Sequence, residues 1–102
     1  MIIAKQNYFE HHSNLREFFD TKKSAGDFPV GIGFDPETEV FYIEIQNSIS
    51  DKEKTLSLSE RKFASILTGS NVAEIIKVAV SATGLTIIEK DGSIYNVSLP
   101  LS

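Results

Sequence analysis

The sequence predicts an α+β fold: one small domain spanning residues 1–102, with an antiparallel sheet built from a hairpin and a C-terminal three-stranded meander, accompanied by two helices. Three observations lead there. Apolar residues recur at the spacing of a helical turn in two separate stretches, around Phe18 and around Phe63. Between and after them apolar residues alternate with polar ones or glycine, the period of a half-covered strand. Turn-forming pairs, Asp35-Pro36, Thr83-Gly84 and Asp91-Gly92, punctuate the alternating stretches. The alternative arrangement of the same signals is a small β-sandwich or barrel with one helix.

The first helix is expected over residues 14–24. Leu15, Phe18 and Phe19 share a face, and Asn14 followed by Glu17 resembles a capping box. Lys22 and Lys23 suit the negative end of a helix, and Gly26 suits a position just past it. Tyr8 and Phe9 extend the stripe and would carry the helix back to Asn7, whereas residues 2–5 read equally well as a short strand. Residues 28–46 read as the hairpin. Val30, Ile32 and Phe34 alternate with glycines, Asp35-Pro36-Glu37-Thr38 makes the turn, and Phe41, Ile43 and Ile45 form the apolar side of the second strand. Residues 47–55 are expected to be a polar loop. Ser57 and Glu60 stand as a capping box for a second helix over 58–68, whose buried stripe is Phe63, Ile66 and Leu67 and which Gly69 ends. In the last third, a two-residue Asp91-Gly92 turn would set Ile88 opposite Tyr95 and Thr86 opposite Val97. The expected core is Leu15, Phe18, Phe19, Ile32, Phe41, Ile43, Phe63, Ile66, Leu67, Ile76, Val78, Val80, Ile88 and Val97.

Composition excludes more functions than it suggests. The chain has no cysteine, so disulfides, thiolate zinc sites and cysteine nucleophiles are excluded. Its 41% hydrophobic and 24% charged content is ordinary for a soluble globular protein. The N-terminal stretch lacks the apolar core of a signal peptide, and the longest nearly apolar run, residues 73–82, is interrupted by Glu74 and Lys77. The expectation is a cytoplasmic, soluble protein.

Glu10-His11-His12 is the one constellation that invites a chemical reading. Adjacent helical residues point about 100° apart and adjacent strand residues point to opposite faces, so the two histidines do not chelate one ion together. A metal-binding helix sets its histidines four apart. Helix-entry or surface histidines are the better reading, and neither a metal nor another cofactor is expected. Gly31-Ile32-Gly33 lacks the third glycine and following helix of a dinucleotide loop and reads as a strand feature. The basic doublets Lys22-Lys23 and Arg61-Lys62 are solvated helix faces rather than a nucleic-acid surface. No catalytic residue is assigned, and the protein is not expected to be an enzyme.

Charge distribution is the informative feature. The net charge is −4, yet residues 27–53 alone carry seven acids against Lys52, a balance of −6. Acids close to Phe28, Phe41 and Tyr42 form a surface complementary to a basic partner, with Asp35, Glu37, Glu39, Tyr42 and Glu44 as its contact residues. The expected function is that of a small acidic inhibitor that masks the cleft of a basic, nucleic-acid-acting enzyme such as a nuclease toxin. Immunity proteins, antitoxins and phage inhibitors of host defence are of this general type. No direct contact with nucleic acid or membrane is expected, and the chain would be a monomer or weak homodimer. Two other classes compete: a structural or assembly module that associates with itself through its sheet, and a small enzyme or metal protein built on His11 or His12.

Overall fold

The computed structural model describes the backbone of residues 2–4 and all atoms of residues 12–99. Two antiparallel sheets and two helices make the α+β architecture. The order along the chain is β1 (Ile2–Ala4), α1 (Ser13–Lys22), β2 (Asp27–Asp35), β3 (Val40–Asn47), β4 (Glu53–Ser59), α2 (Glu60–Thr68), a short 3₁₀ turn (Val72–Glu74), β5 (Ile75–Ser81), β6 (Gly84–Glu89) and β7 (Ile94–Ser98). The first sheet runs β1-β2-β3-β4 and the second β5-β6-β7, so hairpin and meander belong to separate sheets. The strand reading of the N-terminus holds for residues 2–4. Tyr8, Phe9, Glu10 and His11, and with them a helix start at Asn7, lie outside the described residues.

Within the first sheet, side-chain alternation sorts the two faces. Ile32, Phe34, Phe41, Ile43, Ile45 and Leu58 are buried on the inner side and form one core with Leu15, Phe19, Phe63, Ala64 and Leu67 of the helices. Phe41 stacks on Phe63 with ring centroids 4.1 Å apart and planes 10° from parallel, and Phe34 lies 4.6 Å from Phe41. Val30 is the extra residue of a bulge between Pro29 and Gly31. Proline has no N–H to give a ladder, so a bulge suits it.

The polar loop expected at 47–55 is instead a tight turn followed by β4. Asn47 organises the turn: its Oδ1 accepts from Ile49 N and Ser50 N, both at 2.9 Å. Leu56 and Leu58 then alternate with Thr55 and Ser57, a strand signal masked in sequence by the charges of Glu53 and Lys54. Extending the strand to Ser59 moves the helix start. Ser59, not Ser57, caps α2, its Oγ accepting from Lys62 N at 3.2 Å. Gly69, left-handed at φ 76°, ends the helix as expected and donates to Ser65 O. Likewise α1 is capped by His12 rather than by the Asn14–Glu17 box; Asn14 instead donates through Nδ2 to Leu67 O, tying α1 to α2. Lys23 closes α1 in extended conformation, and Gly26 (φ 85°) serves the turn into β2.

The meander departs from expectation by one residue. The β6–β7 loop has three residues, not two. Glu89 N donates to Ser93 O, Gly92 N donates to Glu89 O, and Gly92 takes the left-handed position at φ 89°. This is a type I turn with a glycine bulge. It sets Ile87 opposite Tyr95 and Leu85 opposite Val97, not Ile88 opposite Tyr95. A one-residue shift exchanges the faces. Leu85 and Ile87 are therefore buried, while Ile88 is half-buried on the outer side. A second bulge between Ile75 and Lys77 buries Ile75 and leaves Ile76 48% exposed. Ile76 and Ile88 thus leave the expected core. Phe34, Ile45, Leu58, Ala64, Ile75, Leu85, Ile87 and Leu99 enter it, and Phe18, Ile66, Val78, Val80 and Val97 are only partly buried against it.

Phe63→Ala should cost about 3–5 kcal/mol, because a fully buried ring leaves a cavity against Phe41; urea unfolding measures it. The meander register has its own test. Glu89 and Tyr95 share a face only in the observed register, and the Glu89 carboxylate beside the Tyr95 phenol raises its pKa above the usual 10.0. Glu89→Gln should return Tyr95 toward that value in an NMR titration of its ring. A Tyr95 resonance that titrates identically in both proteins would favour the two-residue turn.

Candidate functional site

The expected partner surface maps onto the outer face of the first sheet and the β2–β3 loop. Outward positions follow from the register: Phe28, Gly31, Gly33 and Asp35 on β2; Val40, Tyr42, Glu44 and Gln46 on β3; Glu53, Thr55, Ser57 and Ser59 on β4. Tyr42 lies between Gly33 and Ser57, and Glu44 lies between Gly31 and Thr55. Gly31 and Gly33 are buried, Tyr42 and Glu44 are half-buried, and Phe28 is 37% exposed. Among the described residues of this face there is no lysine or arginine.

The loop at the end of the face is held by its own backbone bonds. Asp35 Oδ1 accepts from Glu37 N at 2.9 Å, and Glu39 N donates to Asp35 O at 2.8 Å. Glu37 and Glu39 are exposed, Asp35 half-buried. Glu39 takes a left-handed conformation at φ 56°, uncommon outside glycine and asparagine. Its carbonyl accepts from Glu60 N at 3.2 Å, so the loop is docked on the first turn of α2. The Glu60 carboxyl is pushed up, first by partial burial and then by the nearby Glu39 charge. Asp35, Glu37, Glu39, Tyr42 and Glu44 therefore do lie along one continuous stretch of surface.

Two members of the expected surface do not belong to it. Phe41 is fully buried beneath the sheet. Asp27 is buried on the inner side, where Lys54 Nζ meets its Oδ2 at 2.7 Å, Ser24 N donates to the same oxygen at 2.9 Å, and Asn47 Nδ2 donates to Oδ1 at 2.8 Å. Asn47 Nδ2 also donates to Ala25 O. This network fastens the turn after α1 to the edge of the sheet. It is structural, and it withdraws both Asp27 and Lys54 from the outer face. Nothing in residue type distinguishes Asp27 from the other acids; the signal available in sequence was its position at the mouth of the hairpin, opposite Asn47.

Of the Glu10-His11-His12 run only His12 lies within the described residues, where it caps α1. His12 Nδ1 accepts from Leu15 N at a long 3.4 Å, as an N-cap does, and burial holds its imidazole below the usual 6.5. That bond requires the neutral ring. Among the described residues no group of three His, Asp or Glu side chains has the arrangement of a metal site. A groove of about 330 Å³ lies between the helices, lined among the described residues by Phe18 and Ile66 together with Glu17 and Lys62. Among the described residues no helix is long and apolar enough to cross a membrane.

No protein-family model, no curated protein and no solved structure matches this chain. The functional reading rests on the surface itself.

Acid titration should isolate the Asp27 network. Lys54 above all, then Asn47 and the Ser24 N–H, hold the Asp27 carboxyl at about 2, below its usual 3.8. A depressed carboxylate adds stability that is complete above 3.8 and fades as the pH falls toward about 2. Asp27→Asn should lower the urea midpoint at neutral pH and flatten its decline through that window. An unchanged acid slope would assign the acid sensitivity elsewhere.

Proposed function

We propose that this protein acts by binding, not by catalysis: it is a small acidic inhibitor whose first-sheet outer face, with Asp35, Glu37, Glu39, Tyr42 and Glu44, covers the basic cleft of a nucleic-acid-acting enzyme. The observation that carries the reading is the sorting of charge. Phe28, Tyr42, Glu44 and Glu53 stand on one side of the sheet, and Lys54, the only base within its described strands, is turned to the other side and paired with Asp27. Glu44 and Glu53 from the strands and Glu37 and Glu39 from the loop present one sign of charge around Tyr42 and Phe28. Such a surface speeds encounter with a cationic cleft, while the aromatic rings supply area that a binding site can desolvate.

The charges and the aromatic play separable parts. Rim carboxylates act mainly on the association rate, which salt weakens as the Debye length shortens to about 8 Å at physiological strength. Tyr42, flanked by glycine and serine, is placed as an anchor that acts on the dissociation rate.

Binding kinetics against the basic protein recovered from the source cell provide the test. Glu37→Lys with Glu39→Lys should slow association and leave folding intact. Tyr42→Ala should raise the dissociation rate on the order of thirtyfold, the equivalent of about 2 kcal/mol. Inhibition of the partner's nucleic-acid cleavage should weaken in parallel. Unchanged rates in the double mutant at both low and high salt would remove this surface as the partner site.

A further inference from the structure

We infer that the chain pairs with a second copy of itself along β7, joining two three-stranded sheets into one of six strands about a twofold axis at Asn96. The inference starts from the edges. An unpaired strand is a template for another chain, and proteins blunt such edges with brevity, charge, bulges or proline. Among the described strands, three of the four sheet edges carry such a device. β1 is three residues long; β4 carries Glu53 and Lys54; β5 carries the bulge at Ile76 with Lys77, and Arg61 occupies its carbonyls, Nη1 donating to Ile75 O and Nη2 to Ile76 O. β7, Ile94-Tyr95-Asn96-Val97-Ser98, has no charge, proline or bulge.

The register states which groups an incoming strand would meet. Glu89 N donates to Ser93 O, and Leu99 N donates to Thr83 O. Antiparallel pairs alternate between bonded and non-bonded, so Ser93, Tyr95, Val97 and Leu99 turn their backbone groups toward β6. Ile94, Asn96 and Ser98 turn theirs toward the open edge. A second β7 running antiparallel, centred on Asn96, meets them group for group. Asn96 exchanges both bonds with Asn96 of the second copy, and Ile94 exchanges both with Ser98.

Side chains agree with this register. A twofold axis perpendicular to the sheet continues each face into the same face of the second copy. Tyr95, 39% exposed, comes beside Val97 on the inner side, and Ile94, 61% exposed, comes beside Ser98 on the outer side. No charge opposes its like, because the strand has none. The occupant that this edge fits is an uncharged strand of its own sequence. None of these residues belongs to the acidic outer face, so the two surfaces stand or fall separately.

Sedimentation of the full chain from micromolar to millimolar concentration should show a monomer–dimer equilibrium that high salt does not weaken. Ile94→Lys, a change at an exposed position, should weaken it about tenfold or more. The twofold gives a sharper readout, since the chain has no cysteine of its own. In Asn96→Cys the two sulfurs flank the axis at a bonded pair, where Cα atoms lie about 5.5 Å apart, within disulfide range. That variant should form a covalent dimer on mild oxidation, and Thr55→Cys on the charged β4 edge should not. Monomer mass throughout the range, a dimer indifferent to Ile94→Lys, or readier cross-linking of Thr55→Cys than of Asn96→Cys would each overturn the inference. Loss of the partner interaction described above, with dimerisation intact, would bear on that proposal alone.

Discussion

The stacking of Phe63 on Phe41 is the contact on which the remaining geometry depends. Phe41 stands on the inner face with Phe34 against it, and the 4.1 Å stack is close enough to fix the position of α2 over the sheet. The helix has little freedom to choose otherwise. Ser59 is both the last residue of β4 and the N-cap of α2, so strand and helix join without a linker, and the Glu39 carbonyl holds the first helical N–H. Once α2 is seated, its backbone and side chains position the other elements. Leu67 O receives Asn14 from α1, and Arg61 reaches the bulged carbonyls of β5. The second sheet is thus oriented by a helix that is itself oriented by one aromatic pair.

Charge on the first sheet follows from the period of a strand combined with one ion pair. In β3 the odd positions 41, 43 and 45 are apolar and buried, so the even positions must face outward. Glu44 is outward for the same reason that Ile43 is inward. Asp27 falls on an inward position at the sheet's end, where an unpaired buried carboxylate would be costly, and the exposed Lys54 answers it across the sheet. That pairing leaves only acids among the described charges of the outer face. The asymmetry is a by-product of folding as much as a decoration of the surface, which is why it survives although the acids are scattered through residues 27–53 of the sequence.

What could be read from sequence was what repeats, and what was misread was what single residues decide. The apolar faces of both helices, the hairpin and the fold class follow from periods sustained over several turns or strands, and Tyr42 with Glu44 on the less apolar face follows from the same period. The errors are local. Ser57 and Ser59 are both good caps with nothing in composition to choose between them, and the choice falls to Leu58, which must reach the inner face as a strand residue before the helix begins. Asp91-Gly92 is a strong signal for a two-residue turn, yet Ser93 N finds Asp91 Oδ1 at 2.8 Å and the left-handed Gly92 fits a three-residue loop equally well. That one residue exchanged Ile87 for Ile88 in the core. The bulge at Ile76 did the same to Ile75. Register in a meander is set by its turns and bulges, and these leave almost no periodic trace.

The same asymmetry bears on how two surfaces coexist in one small chain. A net charge of −4 keeps copies apart at long range, and this repulsion is weakened by salt. An edge that associates with its own kind must therefore be free of charge and must stand away from the acids, and β7 meets both conditions because it belongs to the other sheet. Pairing there leaves the acidic face of each copy uncovered. In the proposed pairing a twofold dimer would present two such faces, and a partner of the proposed kind with two basic sites, or itself a dimer, would be held by both at once. The second contact forms at the effective concentration set by the first, so avidity rises without any new residue touching the partner. In the two proposals the neutral edge and the charged face are complementary: the first would decide how many faces are presented together, and the second what they bind.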